Sequence, residues 1–319
     1  MLDPQIHSRN QQRYFRSSLV DFMGDTPLVQ LPKVITNADA DVFVKLEEYN
    51  PGGSIKSRVA LSMITAAENK GILRPGSGQV IAEPTGGNTG IGLAIIGCIR
   101  GYKVVLAIPD NFSKEKQRVL RLYGAEVRLM DSSSANDSHV TIMPSILEEY
   151  QGAVWLNQFE NPANPLAHYS STAPELLMAL GNIDVFVSGV GSGGTISGVG
   201  KRLKEANSRT KVCAVQPKGC DILRGQAVPH KIQAIALGRL PAVFDPKIVD
   251  EVIDVLYDDV IDCLRKVATH TGLLLGLSSG ANIIGACRQA QRMPAGKIIV
   301  TIAPDGGRSY IEHLEKGGD

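Results

Sequence analysis

A two-domain α/β fold with mostly parallel sheets, each covered by helices on both faces, is what this sequence predicts. Three observations carry it. Strand-like and helix-like segments alternate from residue 42 to residue 303. The strand-like segments, such as Val104-Val105-Leu106-Ala107-Ile108, are almost continuously apolar, as strands buried on both faces are. The chain has 319 residues, more than one hydrophobic core usually serves. Asn and Pro cluster at 159–165, which sets the boundary there. Residues 1–160 then form an N-terminal domain and 161–319 a C-terminal one, with the first strand region near 20–46 able to pack with the other domain.

The opening 1–18 has no clear period and reads as an arm or an irregular helix. Gly24-Asp25-Thr26-Pro27 is a turn leading into a short strand at Leu28-Val29. A strand over 42–47 ends at the breaker Asn50-Pro51-Gly52-Gly53. A helix over 56–70 follows, because Val59, Ala60, Leu61, Ile64 and Ala67 recur at helical spacing. The same logic pairs a strand over 80–83 with a helix over 88–100, and a strand over 104–108 with a helix over 114–123 closed by Gly124. A strand over 127–130, a loop rich in Ser and Asp, a helix near 143–150 and a strand over 154–156 complete the first series. The second series begins with a helix over 169–180 and a strand over 185–190. A glycine-rich loop at 191–195 opens a helix to about residue 206, and a strand over 212–215 follows. After a loop through Pro229-His230-Lys231 come a strand over 251–255 and a helix over 260–270. A further helix starts at Ser278-Ser279-Gly280, and the last strand, over 298–303, ends at Pro304-Asp305-Gly306-Gly307. No short-period repeat or low-complexity tract interrupts this order.

Composition narrows the function classes. Lys plus Arg is 33 against 32 acidic residues, which leaves no electrostatic footprint for nucleic acid or an anionic membrane surface. No apolar run reaches the roughly 18 residues that span a bilayer, and the polar N-terminus has no signal region. The five cysteines (Cys98, Cys213, Cys220, Cys263, Cys287) form no C-x-x-C pair, are odd in number and read as buried, reduced thiols of a cytoplasmic protein. The six histidines show no H-x-x-x-H spacing, so no catalytic metal is expected. The serines at 132–134 lack a G-x-S-x-G context, which argues against a serine hydrolase. Asp258, Asp259 and Asp262 read as a solvated helix start.

Chemistry concentrates in loops at strand ends, where open α/β sheets bind ligands. Lys56 falls at the first turn of a helix, where free N–H groups and the helix dipole disfavour an ammonium. Shielded from water, such an amine has a lowered pKa and acts as nucleophile and base; taken alone, a lysine is a solvated surface residue far more often, and only the rest of the chain shifts the balance. Pro84-Thr85-Gly86-Gly87-Asn88-Thr89-Gly90 combines close backbone approach with side-chain donors and suits a carboxylate, although a tight strand-to-helix turn needs the same glycines. Gly191-Ser192-Gly193-Gly194-Thr195 makes an anion nest at a helix N-terminus, suited to a phosphate. Residues 189–194 also match G-x-G-x-x-G, but the next strand ends Gln216-Pro217 and not on an acidic residue, which counts against a dinucleotide. Ser278-Ser279-Gly280 would serve as a helix cap without any ligand. A lysine amine, a phosphate cradle and a carboxylate cradle together point to pyridoxal 5'-phosphate, held on Lys56 as a Schiff base.

These segments resemble the cysteine synthase and cystathionine β-synthase family, the O-acetylserine sulfhydrylase-like enzymes of the second, tryptophan synthase β-like fold type of pyridoxal phosphate enzymes. The likeness runs from about Gly24 to Tyr310. It shows in 24–29, in 45–58, in 83–90, in Asn157-Gln158-Phe159-Glu160-Asn161-Pro162-Ala163-Asn164-Pro165, in 191–195, in Pro229-His230-Lys231-Ile232-Gln233 and in Gly276-Leu277-Ser278-Ser279-Gly280.

The resemblance implies that Lys56 holds the cofactor and moves the Cα proton. It implies that Gly191, Ser192, Gly193, Gly194 and Thr195 hold the phosphate, that Asn88 bonds the ring hydroxyl oxygen and that Ser278 faces the pyridine nitrogen. Thr85, Gly86, Gly87, Asn88, Thr89 and Gln158 would hold the substrate carboxylate. The implied activity is that of a transferase of cysteine biosynthesis. It replaces the β-substituent of an activated L-serine (O-acetyl- or O-phospho-L-serine) through an aminoacrylate, with sulfide as the default nucleophile. A homodimer acting on small amino-acid substrates is the implied assembly, with no nucleic acid or membrane partner. Two departures keep other nucleophiles open (an amine, an amino acid, homocysteine or another thiol). Relatives usually carry serine at Gly86, where glycine loses a hydroxyl and is expected to add room beside the carboxylate. Relatives read Gly-Ile-Gly-Ala-Gly-Phe where this chain has Ala234-Ile235-Ala236-Leu237-Gly238-Arg239, and Arg239 at an entrance would grip an anion. A catalytically silent binding or regulatory homologue is the reading from another class, and the intact lysine, phosphate loop and Asn88 argue against it.

Overall fold

The computed structural model describes residues 16–131 and 141–315; the serines at 132–134 and most of the N-terminal segment lie outside them. In chain order β1 (Leu28–Gln30), α1 (Lys33–Thr36) and β2 (Asp41–Leu46) lead to α2 (Lys56–Asn69). Then come β3 (Val80–Glu83), α3 (Asn88–Arg100), β4 (Lys103–Pro109), α4 (Lys114–Leu122), β5 (Glu126–Met130), α5 (Met143–Glu149) and β6 (Val154–Trp155). The second half holds α6 (Ala163–Ala167), α7 (Ala173–Leu180), β7 (Val185–Gly189), α8 (Gly194–Ala206), β8 (Lys211–Pro217) and β9 (Glu251–Val255). It closes with α9 (Tyr257–Thr271), α10 (Leu277–Ala290), β10 (Ile298–Ala303) and α11 (Ile311–Leu314).

The strands form two sheets. One has six strands in the order β1-β2-β10-β7-β8-β9, and the other four in the order β5-β4-β3-β6. Every pairing is parallel except β1 against β2. Alternation along the central strands shows why their sequences are apolar throughout. On β7, Val185 and Val187 enter one core with α9 and α10, while Phe186 enters another with α7 and α8. On β4, Val104 and Leu106 pack with α2 and α3, while Val105 and Ala107 meet Met143 and Ile146 of α5. Each sheet is thus the middle of three layers. The chain enters the six-stranded sheet with β1 and β2, leaves it for β3–β6 and returns at β7. β10 lies between β2 and β7, so the loops after β2, β7 and β10 open at one edge.

One element departs from its expected form. The sequence predicts a single helix over 169–180. The structure has α6, a π-helical segment His168–Thr172, and only then α7. Asn161 starts the helical run early by accepting from the Ala163 N–H at 3.0 Å. Ser170 and Ser171 donate to the carbonyls of Leu166 and Ala167, and Pro174 offers no N–H to the turn before it. The backbone ladder slips by one residue there. Helix α9 begins at Tyr257, three residues before its apolar period, with Asp258 and Asp259 in its first turn.

Candidate active site

Lys56 is the first residue of α2, and no acidic side chain occupies that turn. The helix start is tied to the end of β10, since Ile55 N–H donates to the Pro304 carbonyl at 2.8 Å and Ser54 pairs with Asp305. Lys56 therefore faces a cleft rather than the outer surface. The cleft also takes in Asn88, Gly191, Ser192, Thr195 and Ser278. Burial pushes the Lys56 amine below its ordinary range, and the nearby Asp305 charge partly opposes it.

The start of α8 makes the anion end of the cleft. Gly193 takes φ +82° and α8 has no side-chain cap, so its first N–H groups are left for a ligand. The glycines are required by close packing. A Cβ on Gly193 would enter Phe244, one on Gly194 would collide with the Asn164 side chain, and one on Gly191 with the Ala234 carbonyl. Asn164 Nδ2 donates to Ser192 Oγ (2.9 Å) and to the Gln158 carbonyl (2.7 Å), while its buried Oδ1 has no partner among the described residues. Thr195 Oγ1 lies 3.3 Å from His168 Nε2. Burial, and then the charges of Lys56 and Arg58, hold His168 far below its usual pKa, so it is neutral at pH 7.

Glu83, the last residue of β3, holds the Asn157-Gln158 segment from behind. Its oxygens accept from Asn157 N–H (2.9 Å) and Gln158 N–H (3.0 Å). Burial pushes its carboxyl up to about 7 despite these donors. Thr89 Oγ1 donates to Gln158 Oε1 at 2.7 Å, which joins the two segments that carry substrate-binding candidates. Thr85, Gly86 and Gly87 form the turn between β3 and α3. The expected room at Gly86 does not exist. A Cβ there would lie 2.6 Å from Ile108 Cγ2 and 3.0 Å from the Phe112 ring, which fill the space. Arg239 is exposed and stands outside the cleft around Lys56, lining a neighbouring depression that shares Gly191 with it. Its guanidinium sits 3.9 Å from the centroid of Phe159, the residue after Gln158.

Several site residues escape the sequence. Asn282, one turn after Ser278, accepts from Gly189 N–H and donates to the Ile302 carbonyl, fixing the cleft floor. Asp305 accepts from Asn88 Nδ2 at 2.8 Å across 217 residues of chain. Its place just after the last strand was the one available signal; Asn164 lies in the 157–165 stretch that carries the resemblance, which assigns it no role, and His168 gave no signal. Among the described residues no cluster of His, Cys, Asp and Glu could hold a metal ion. A buried amine, a glycine-lined anion nest closed by packing and a neutral hydroxyl at Ser278 fit pyridoxal phosphate in size and charge.

Known proteins resemble the chain throughout. A family model described as pyridoxal-phosphate dependent enzyme matches residues 19–305. A cysteine synthase of Staphylococcus aureus (strain N315) is 42% identical over 297 residues, covering 92% of this chain and 95% of that protein. Among solved structures, an O-ureido-L-serine synthase superposes with a TM-score of 0.89 at 35% identity, covering 96% of this chain and 98% of its own. An O-acetylserine sulfhydrylase isoform from Entamoeba histolytica gives 0.89 at 33% identity, covering 96% and 94%.

Proposed function

The chain belongs to the pyridoxal-phosphate dependent enzymes, and on that premise we propose that it catalyses β-replacement on an activated L-serine, O-acetyl- or O-phospho-L-serine, with sulfide as the default acceptor and L-cysteine as the product. The observation that carries this reading is the meeting of Lys56, Asn88, the start of α8 and Ser278 in one cleft. When bound, the cofactor supplies the sink for the electron pair left at Cα.

The protein's own groups then have separable tasks. Lys56 Nζ, a weakened base through burial, holds the cofactor and takes the Cα proton once released. The N–H groups of Gly193, Gly194 and Thr195, with the Ser192 and Thr195 hydroxyls, hold the phosphate. Thr85, the backbone of Gly86 and Gly87, Thr89 and Gln158 hold the substrate carboxylate, with Asn88 at the ring hydroxyl oxygen. Ser278 offers a neutral hydroxyl where a carboxylate would keep a proton on the ring nitrogen. Charge at Cα is then relieved by departure of the β-substituent with its electron pair, and a nucleophile adds at Cβ. We place the enzyme in the cytoplasm as a homodimer, in line with five free thiols; against expectation only Cys213 and Cys220 are buried, Cys263 and Cys287 are half-buried and Cys98 is exposed.

A second reading keeps the chemistry and changes the nucleophile. Arg239, stacked beside Gln158's neighbour Phe159, favours an acceptor or leaving group that carries a negative charge. The neighbouring O-ureido-L-serine synthase makes, by its name, a serine with an oxygen-linked substituent. Mass analysis of products from each donor with sulfide, neutral amines and acidic amino acids separates the two readings. The shared core is tested at Lys56. Borohydride should tag position 56 of the loaded wild type, and Lys56→Ala should lose both tag and turnover. Full turnover by that variant would remove the assignment.

A further inference from the structure

None of the roles above uses the Asp305 carboxylate, although it lines the same cleft as Lys56. The residue is only 6% exposed. Oδ2 accepts two hydrogen bonds, from Asn88 Nδ2 at 2.8 Å and from Tyr310 OH at 2.9 Å. Oδ1 is just as shielded and has no hydrogen-bond partner among the described residues. The backbone cannot swing it away. Gly276 N–H donates to the Asp305 carbonyl at 3.1 Å, Ser54 pairs with Asp305, and Ile55 N–H holds the Pro304 carbonyl. Residue 276 is glycine because a Cβ there would collide with Oδ1.

A carboxylate with one desolvated, unpaired oxygen is costly unless a cation shares its cavity. Three charged groups bear on it, Lys116, Lys56 and Glu48, with Arg308 behind Glu48. Lys56 approaches from the start of α2, Lys116 from α4, and Glu48 and Arg308 from the loops after β2 and β10. Arg308 and Glu48 act on one another, with Glu48 Oε2 packed over Gly306. Lys116 Nζ lies over two rings, 5.7 Å from the centroid of Tyr310 and 5.9 Å from that of Phe112. Its charge is thus already held over the faces of two aromatic rings. Lys116 and Lys56 both act on the Asp305 charge, and of the two it is Lys56 that lines the cleft with Asp305.

We propose that Asp305 is a positioning residue of the active site: its charge is the counter-ion of the Lys56 ammonium, and its Oδ2 fixes the Asn88 amide. This rests on the reading of Lys56 as the amine that accepts the Cα proton. Once Nζ carries that proton, the ammonium sits in a site whose burial disfavours charge, and the Asp305 carboxylate offsets that cost. The Asn88 amide is oriented by the same group. A carboxylate only accepts, so the NH₂ must face Asp305, and its second N–H remains for a ligand. Burial pushes the Asp305 carboxyl up, opposed by its hydrogen bonds from Asn88 and Tyr310 and then by the charges of Lys116 and Lys56; burial pushes the Lys56 amine down, opposed by Asp305.

The test reads Lys56 directly. In the full-length chain freed of cofactor, trace labelling with acetic anhydride, followed at the Lys56 peptide across pH, gives the midpoint at which Nζ loses its proton. Asp305→Asn should lower that midpoint by about one unit, the size expected for losing a nearby opposite charge. Asp305→Ser, smaller and also neutral, should do the same if the amide variant folds poorly. Tyr310→Phe removes one hydrogen bond but keeps the charge, and should leave the midpoint in place. An unmoved midpoint in both Asp305 variants would overturn the proposal, as would an equal shift in Tyr310→Phe. A lowered midpoint in a chain that turns over no activated serine would keep Asp305 and discard the reaction, so the two readings fail separately.

Discussion

At Gly86 the missing side chain is a packing requirement. Ile108 Cγ2 and the Phe112 ring occupy the volume that a Cβ would need, and Ile108 is fully buried. A serine there must push both aside. Gly86→Ser should cost about 1–3 kcal/mol, the usual price of overpacking a filled site. Ile108→Ala should recover part of that loss, so the double variant should fall short of the sum of the singles in urea midpoints. Strictly additive losses would mean that the contact with Ile108 does not set residue 86. Lys56 and the glycines at 191–194 were legible in the sequence because their chemistry is local: a breaker, a nucleophile and a helix start lie within a few residues. Asp305, Asn282 and His168 were not, because each works through a partner far along the chain. The Asn88–Asp305 bond exists only because α3 and the end of β10 converge. Likewise nothing in the residues around Gly86 announces Phe112.

Most elements were legible because their periods are strong, and the exception is instructive. The stretch 163–180 contains proline and hydroxyl side chains that compete for backbone carbonyls, so its apolar pattern reports a helix without reporting the π-helical slip inside it. That slip lies beside α8, because its Gly198 packs against Pro165 and His168. Helix α8 itself is positioned by glycines rather than by a cap. Gly193 is the sharpest case, with its left-handed φ of +82° and no space for a Cβ against Phe244. Gly193→Ala should therefore displace the first N–H groups of α8 while leaving its later turns intact. Affinity for pyridoxal phosphate should fall about tenfold or more, equivalent to about 1.4 kcal/mol or above, with little change in far-ultraviolet circular dichroism. Unchanged affinity would show that the α8 amides do not hold the phosphate.

Across the whole molecule, the two sheets are joined by a buried ionic network that no local pattern reveals. Arg58, one half-turn past Lys56 on α2, bonds Glu47 Oε2 at 2.7 Å through Nε and Glu47 Oε1 at 2.9 Å through Nη2. Its Nη2 also reaches Glu175 Oε2 of α7 at 2.8 Å. Lys45 of β2 meets the same Glu175 oxygen at 2.7 Å, and Thr26 donates to Glu47. The network thus pins α2, which packs against the four-stranded sheet, to β2 and α7 of the six-stranded one, and it fixes where Lys56 begins its helix. Burial alone would raise the Glu175 carboxyl, but hydrogen bonds and charge from Arg58 and Lys45 outweigh it and hold the group below its ordinary value of 4.5. The unfolded chain therefore takes up this proton first as pH falls. Stability from Glu175 is complete above about pH 4.5 and is lost as pH drops through the lower folded value. Glu175→Gln leaves Arg58 and Lys45 short of a counter-charge and should cost about 3–5 kcal/mol at pH 7, the range for breaking a buried pair. The gap between wild type and variant in urea unfolding should narrow as pH is lowered from 7 toward 3.5. A gap that stays constant over that range would mean that Glu175 contributes through packing and not through its charge.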